Sequence, residues 1–227
     1  MDALERTELA QRYVEHALDD RGGSDAVRLI LEHVVDGRLG LLELYEHVLA
    51  PAQTELGDRW HRNEISVADE HYATELTRRV MALASGFSPV PRPQRGTVVL
   101  AAPAEEAHDL PLRMAFDLLE REALDVRLLG AVTPTAALAA FVERTRPDAV
   151  AFTCSTAEAA RGAEEAVAAV RRIDPSIRVV LAGRYVALHP ALAQRAGADA
   201  YVTALGSGIR LIGELVDERR GSRGASS

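Results

Sequence analysis

The chain has 227 residues, 48% hydrophobic and 26% charged, a composition typical of soluble globular proteins and unlike that of disordered chains. Its 26 Lys and Arg residues against 34 Asp and Glu residues give a net charge of −8, which argues against nucleic-acid binding by phosphate neutralisation. Its one cysteine, Cys154, excludes an internal disulfide, and it has no apolar run of membrane-spanning length and no signal peptide. We therefore expect a cytoplasmic protein that contacts neither a membrane nor nucleic acid.

Helical periodicity dominates residues 1–86. Apolar residues recur at helix spacing in 27–34 and 41–49, which indicates amphipathic helices. Ser24 follows two glycines and is predicted to cap the first of these helices. Pro51 lies in a long helical stretch and is expected to kink or split it. Short connections between these segments predict a four-helix bundle.

The last helix of this half leads into a proline-rich linker. Ser66 and Asp69 have the spacing of a capping box and predict a helix that reaches about Ala84. Residues 87–96 contain three prolines and show no periodicity, so we interpret them as a spacer between two domains.

After the linker, short apolar runs alternate with helical segments. The predicted strands are 97–102, 124–129, 148–153, 177–181 and 199–203. The predicted helices are 112–122, 135–144, 157–173, 190–196 and 209–219. This alternation predicts an α/β domain over residues 97–220, with a five-stranded parallel sheet in flavodoxin-like, Rossmann-like order and a disordered tail over 221–227. Ligands of such sheets bind at the carboxyl ends of the strands.

Polar residues follow three of the predicted strands. Glu106 and His108 follow the first strand, and a carboxylate that holds one imidazole nitrogen leaves the other to bind a metal. Thr153 and Ser155 end the third strand and could hydrogen-bond a buried polar ligand. Gly183 follows the fourth strand and permits close approach of a ligand. Each feature also has a plain structural interpretation, as a solvated loop histidine, a helix cap and a tight turn.

The spacing of these residues is more specific than any one of them. The pattern runs Glu106-x-His108-x-x-Pro111, residues 112–152, Thr153-x-Ser155, residues 156–181, Ala182-Gly183. It resembles the cobalamin-binding domain of methionine synthase, the carbon-skeleton mutases and their relatives. The resemblance implies that His108 is the lower axial ligand of cobalt in a base-off, His-on cofactor.

The same resemblance assigns the other residues of the pattern. Glu106 replaces the usual Asp as the partner of the histidine, and Thr153 replaces the Ser near the buried nucleotide tail. Ser155 and Gly183 complete the expected cofactor-binding set. The sequence departs from the family where Pro111 and Ala182 replace glycines and where Ser155 replaces an apolar residue. These departures leave open a degenerate domain without cofactor.

A second pattern lies in the helical half. Trp60 is followed after nine residues by Glu70 and His71. With Ser66 as the cap, Glu70 takes the position where an apolar partner for Ile65 is expected, so a carboxylate there indicates a polar contact. The plain alternatives are a core tryptophan and a solvated first helical turn.

This W-x9-E-H pattern resembles the helical domain of the CarH-type cobalamin regulators, which sense light and control carotenoid genes. The resemblance implies that the bundle caps the upper face of adenosylcobalamin. Trp60 and Val67 would face the adenosyl group, with Glu70 and His71 near its polar edges. His61 is similar to the family histidine that takes the upper cobalt position after photolysis.

These features together predict an adenosylcobalamin-binding light sensor rather than an enzyme, in which photolysis shifts the bundle against the sheet domain. Since the chain begins at the bundle, without the DNA-binding domain of the familiar regulators, we expect a fragment or a free-standing sensor. Such a sensor would signal as a homo-oligomer or through a separate regulatory protein. A corrinoid carrier for a methyltransferase, a cobalamin-dependent isomerase subunit and the degenerate domain are the alternatives.

Overall fold

A computed structural model of the protein describes residues 1–224 and divides into two compact units. The first unit is Met1–Pro89 and the second begins at Val90, so the division falls inside the proline-rich segment 87–96. Among the described residues, no helix combines the length and the apolar character that crossing a membrane requires.

The first unit is the predicted helical bundle. Large side chains such as Tyr13, Ile30, Leu44, Tyr45 and Leu56 are fully buried in its core. The helices are α1 Ala3–Leu18, α2 Gly23–Val35, α3 Leu41–Leu44, α4 Ala50–His61 and α5 Val67–Ser85, with a π-helical turn at Tyr45–Leu49 between α3 and α4.

The prediction that Ser24 caps a helix is wrong. Helix α2 already begins at Gly23, and its N-cap, Gly22, offers no side chain to cap it. A Cβ atom at Gly23 would lie 2.2 Å from the Tyr72 hydroxyl oxygen, so the missing side chain lets α2 approach α5 closely. Tertiary packing therefore explains the glycine at the start of this helix.

The long helical stretch around Pro51 is interrupted by a π-helical turn rather than by a kink at the proline itself. Pro51 lies in the first turn of α4, where a helix needs no N–H donor from the proline position. The π-helical turn immediately precedes it, and the Ala50 N–H bonds to the Tyr45 carbonyl, five residues back. By contrast, the predicted capping box of Ser66 and Asp69 is confirmed at the start of α5.

The second unit is the predicted five-stranded parallel sheet with flanking helices. The strands are β1 Thr97–Pro103, β2 Asp125–Thr133, β3 Ala149–Thr153, β4 Arg178–Ala182 and β5 Ala200–Tyr201. Their order, β2-β1-β3-β4-β5, confirms the flavodoxin-like arrangement. The helices are α6 Leu110–Arg121, α7 Thr135–Thr145, α8 Ala157–Ile173, α9 Arg184–Leu188, α10 Ala191–Ala196 and α11 Leu205–Gly224.

Several bounds differ from the sequence prediction, most of all those of β2, β5 and α11, and helix α9 was not predicted. Strand β5 covers only Ala200–Tyr201 of the predicted 199–203, and α11 begins at Leu205 rather than at residue 209. Strand β2 continues to Thr133, past the predicted end at residue 129, because shifts of register beside Ala101 let it stay paired with β1. Helix α11 continues to Gly224, so residues 221–224, expected in a disordered tail, are helical, and residues 225–227 of that tail lie outside the described residues.

Candidate functional site

The polar residues of the second unit gather where β1, β3 and β4 end. In this strand order β1 and β3 are neighbours, and the connections that follow them run to opposite sides of the sheet. Folds of this kind bind their ligands at the carboxyl ends of these two strands. His108 lies in the loop after β1, Thr153 is the last residue of β3, and Gly183 directly follows β4. The structure therefore brings together the ends from which sequence analysis selected its candidates.

A buried carboxylate orients the candidate cobalt ligand. The Glu106 side chain is 1% exposed, whereas the His108 side chain is 67% exposed. Nδ1 of His108 lies 2.5 Å from Oε1 of Glu106, and the His108 backbone N–H donates to the same oxygen at 3.0 Å. A hydrogen bond from Nδ1–H to a carboxylate places the metal-binding lone pair of the imidazole on Nε2.

The other oxygen of Glu106 reaches the end of β3. The Ser155 backbone N–H donates to Oε2 of Glu106, so Ser155 contributes its main chain rather than its hydroxyl group. Burial alone would raise the pKa of Glu106, but the hydrogen bonds from His108 and Ser155 hold the pKa below its usual value. Glu106 thus stays ionised and joins two strand ends.

The main chain of Glu106 is held by Val132, a residue that sequence reasoning missed. The Val132 N–H donates to the Glu106 carbonyl at 3.0 Å, with φ of Val132 at +52°. A β-branched residue seldom adopts a positive φ, so this backbone is strained. The contact is made by main-chain atoms, which leave no signal in side-chain spacing.

Thr153 presents a buried hydroxyl group that lacks a partner. The residue is 1% exposed, and its Oγ1 forms no hydrogen bond within the described part of the chain. A buried polar atom without a partner costs free energy unless a ligand satisfies it. The hydroxyl therefore suits a polar group inserted at the end of β3.

Gly183 has a packing role that sequence analysis left open. Its φ is +105°, and a Cβ atom there would lie 2.4 Å from the Cys154 carbonyl oxygen. The glycine thus lets the turn after β4 lie directly on the end of β3, and its contact with a cofactor stays a prediction. Burial, aided by the charge of Glu106, raises the pKa of Cys154 to about 12, so this thiol is no nucleophile.

The two departures from the glycine pattern lie in regular structure. Pro111 occupies the first turn of α6, where proline is well tolerated. Ala182 ends β4 in register with Thr153, and its carbonyl accepts the Cys154 N–H at 2.8 Å. Both residues therefore lie in regular elements rather than in the loop that carries Glu106 and His108.

The helical unit holds the other predicted residues at one end of the α4–α5 pair. Gln53 of α4 contacts Thr74 of α5, and Trp60 and Val67 each lie about two turns from that contact, towards the connecting loop. The Trp60 ring is 4.7 Å from the His61 ring between centroids. Trp60, His61, Val67 and His71 are exposed on this unit.

Glu70 is the most enclosed of the helical candidates, with 24% of its side chain exposed. Its Oε1 accepts the Thr74 hydroxyl at 2.9 Å, and its Oε2 lies 3.7 Å from Nε2 of His71. The carboxylate is thus held by its own helix and keeps an edge open to solvent.

Two protein families match the chain, one on each unit. Residues 96–210, slightly over half of the chain, match a family described as the B12 binding domain. Residues 7–84 match a second family that carries the same description.

Two relatives are HTH-type transcriptional repressors of Myxococcus xanthus. CarH is 29% identical over 155 residues, which are 68% of this chain and 51% of CarH. CarA is 36% identical over 112 residues, which are 49% of this chain and 36% of CarA. The chain therefore spans about half the length of CarH and a smaller share of CarA.

Solved structures share the fold at low sequence identity. The monomethylamine corrinoid protein of Methanosarcina barkeri has a TM-score of 0.81 at 13% identity, with 94% of this chain and 100% of that chain covered. A cobalamin-binding protein from Desulfitobacterium hafniense DCB-2 has a TM-score of 0.50 at 20% identity, with coverage of 95% and 98%. These identities show a common fold and no more.

Two observations show that the sheet unit suits a corrinoid. His108 offers an imidazole oriented by a buried carboxylate, as a metal ligand requires. Thr153 offers a buried hydroxyl group for a polar part of a ligand. Since the family match covers both residues, the chain belongs to the family of B12-binding-domain proteins, and cobalamin is its cofactor.

Proposed function

We propose that the protein is a light-responsive adenosylcobalamin sensor that acts in transcriptional regulation and has no catalytic turnover. The observation that carries this proposal is the exposed Trp60–His61 ring pair at the same end of the α4–α5 pair as Glu70. The match to two transcriptional repressors supports the regulatory part of the proposal.

The sheet unit would hold the lower face of the cofactor. His108 would bind cobalt through Nε2, while Glu106 stabilises the correct tautomer and raises the basicity of the ring. The Thr153 hydroxyl group would donate a hydrogen bond to the buried nucleotide tail of the cofactor, and Ser155 and Gly183 would lie along that tail. When bound, adenosylcobalamin supplies a Co–C bond that green or near-ultraviolet light breaks.

The helical unit would cover the upper face. Trp60 and Val67 offer exposed apolar surface to the adenosyl group, and Glu70 and His71 offer polar contacts. His61 would hold cobalt after light, and its exposed ring is free to move without leaving a buried site. The change in contacts around the cofactor would shift the equilibrium between two conformations of the protein. That shift would alter self-association or the binding of a separate regulatory protein.

A second candidate function is a corrinoid carrier for a methyltransferase. The observation that favours it is the similarity in fold, along nearly the whole chain, to the monomethylamine corrinoid protein. A carrier needs an upper face that stays open to its partner enzymes, and 41% of Trp60 is exposed on the helical unit. The two functions differ in the cofactor form they bind and in the role of His61.

Absorption spectra separate these functions. The full chain is mixed with adenosylcobalamin or methylcobalamin, and spectra are recorded in the dark and after green light, with size-exclusion chromatography on the same samples. The sensor requires a base-off dark spectrum, a stable new form after light, and loss of that form in His61→Ala. His47→Ala, which removes an exposed histidine of the same unit outside the predicted set, is the matched control.

A light response indifferent to His61→Ala, with methylcobalamin bound in preference, would support the carrier instead. Failure to bind either form would contradict both functions and leave the degenerate domain.

A further inference from the structure

A chain of polar side chains runs from Glu70 into the core of the helical unit. The Thr74 hydroxyl group lies 2.9 Å from Oε1 of Glu70 and also 2.9 Å from Oε1 of Gln53. Because Gln53 belongs to α4 and Thr74 to α5, the chain crosses between these two helices at its first step.

The next steps reach α1. Nε2 of Gln53 donates to the Thr77 hydroxyl at 2.8 Å, and Tyr13 of α1 lies 2.8 Å from the same oxygen. The Thr77 hydroxyl hydrogen goes to the Ala73 carbonyl at 3.1 Å, so its lone pairs accept from both Gln53 and Tyr13. Tyr13 and Thr77 are completely buried. Burial raises the pKa of Tyr13 to about 12, although the bond with Thr77 opposes this, so Tyr13 keeps its proton as a donor.

The hydroxyl hydrogen of Thr74 has two acceptors within reach. A hydroxyl group carries only one hydrogen, so Thr74 can donate either to the Glu70 carboxylate or to the Gln53 amide oxygen at any moment. The orientation of Gln53 is fixed, because Thr77 leaves it only a donor role at Nε2. Which acceptor receives the hydrogen thus depends on what else satisfies Glu70.

We propose that Thr74 and Gln53 are positioning residues that couple the upper contact of Glu70 to helix α1, a role that rests on the proposed sensor function. While Glu70 accepts a hydrogen bond from the upper group of the cofactor, the Thr74 hydrogen goes to Gln53 and the chain to Tyr13 is complete. When that group leaves, the carboxylate takes the Thr74 hydrogen and Oε1 of Gln53 loses its donor. Gln53 is then held by Thr77 alone, so its bond to the hydroxyl oxygen that also holds Tyr13 of α1 is weakened.

Thr74 supplies the bundle with a local device for a two-state change. The shared hydrogen has two discrete positions, and each is favoured by one state of Glu70, as a switch element requires. The chain links α5, α4 and α1 through side chains alone, so it can respond without unfolding a helix.

Hydrogen–deuterium exchange of α1 tests the coupling. The full chain with bound adenosylcobalamin is compared before and after green light, and each sample's spectrum records cofactor uptake and photolysis. Since one hydrogen bond has a modest net free energy, we expect α1 amides near Tyr13 to exchange about fivefold faster after light. Thr74→Val and Gln53→Leu should abolish that difference while the spectra persist.

Two further variants make the test specific. Thr74→Ser keeps the hydroxyl group and should restore the difference in exchange. Thr54→Val removes an exposed hydroxyl group of α4 that bonds only to its own helix, at the Ala50 carbonyl, and should change nothing.

The outcomes separate the two proposals. If light changes the spectrum of the wild-type protein but not the exchange of α1, or if Thr74→Val keeps the wild-type difference, the coupling is wrong and the sensor function stands. If light leaves the spectrum of the wild-type protein unchanged, the sensor function fails and the coupling fails with it.

Discussion

The two units hold their candidate residues in opposite ways. In the sheet unit, Glu106 is buried and fixes His108 through two hydrogen bonds, and Gly183 rests on the main chain of Cys154. In the helical unit, Trp60 and His61 are exposed, and their rings lie 4.7 Å apart between centroids. A side chain that is held in place suits a metal bond that persists. A side chain that is free to move suits a coordination position whose ligand changes. We therefore expect substitutions in the sheet unit to have the larger effects on stability and affinity.

The largest effect is expected where the sheet unit is tightest. Gly183→Ala places a Cβ atom 2.4 Å from the Cys154 carbonyl oxygen and forces alanine to φ of +105°. We expect a loss of about 3 kcal/mol in the free energy of opening of β4, measured by hydrogen–deuterium exchange. Gly221→Ala, in open space on α11, is the control. Equal stability of the two variants would show that the turn after β4 can accommodate a side chain at Gly183.

The next largest effect concerns the orientation of the lower ligand. Glu106→Gln keeps the shape of the side chain but replaces a charged acceptor of His108 Nδ1–H with a neutral amide. Loss of such a partner lowers metal affinity by about 10- to 100-fold, and we expect that range for cobalamin in equilibrium titrations. Glu105→Gln alters the adjacent exposed acid and should keep the wild-type affinity. Wild-type affinity in Glu106→Gln would mean that His108 needs no orientation.

Thr153 should affect stability and binding in opposite directions. Thr153→Val removes a buried hydroxyl group that lacks a partner among the described residues, so the cofactor-free protein should be stabilised by about 1 kcal/mol. The same change should weaken cobalamin binding by about fivefold, because a polar group of the ligand loses its partner. Unfolding in urea and titration with cobalamin measure the two effects, and Thr153→Ser should resemble the wild type. A variant that loses stability without cofactor would contradict the ligand role of this hydroxyl group.

The smallest effect compares two serines of the helical unit. Ser66 accepts the Asp69 N–H in the capping box of α5, whereas Ser24 lies one residue inside α2 and caps nothing. Ser66→Ala should cost about 1 kcal/mol of unfolding free energy, and Ser24→Ala much less. Trp60 is the only tryptophan and lies in this unit, so its fluorescence follows the unfolding in urea. Equal costs would show that packing rather than capping sets both helix starts.

The fold was predictable because its signals are periodic. The alternation of apolar runs and helices predicted five parallel strands in the observed order, and α8 has the predicted bounds, Ala157–Ile173. The prediction failed where distant residues decide. Gly23, the first residue of α2, lies against Tyr72 of another helix, and β2 is extended by shifts of register beside Ala101.

The site was predictable as far as side chains define it. The Glu106–His108 pair followed from a two-residue spacing, and Thr153 from its place at a strand end. The contributions of Val132 and Ser155 are made by backbone N–H groups, which any residue type could supply. Such contacts depend on main-chain geometry, and no side-chain pattern reports them.

The burial of Cys154 has a practical consequence for labelling chemistry. This residue is the only cysteine of the chain, it is fully buried, and its thiol pKa of about 12 keeps it protonated at neutral pH. Maleimide dyes and spin labels should therefore react slowly with the native protein. If one cysteine is introduced on the surface of each unit, these two residues should supply the reactive thiols. The wild-type chain then measures the background labelling of Cys154.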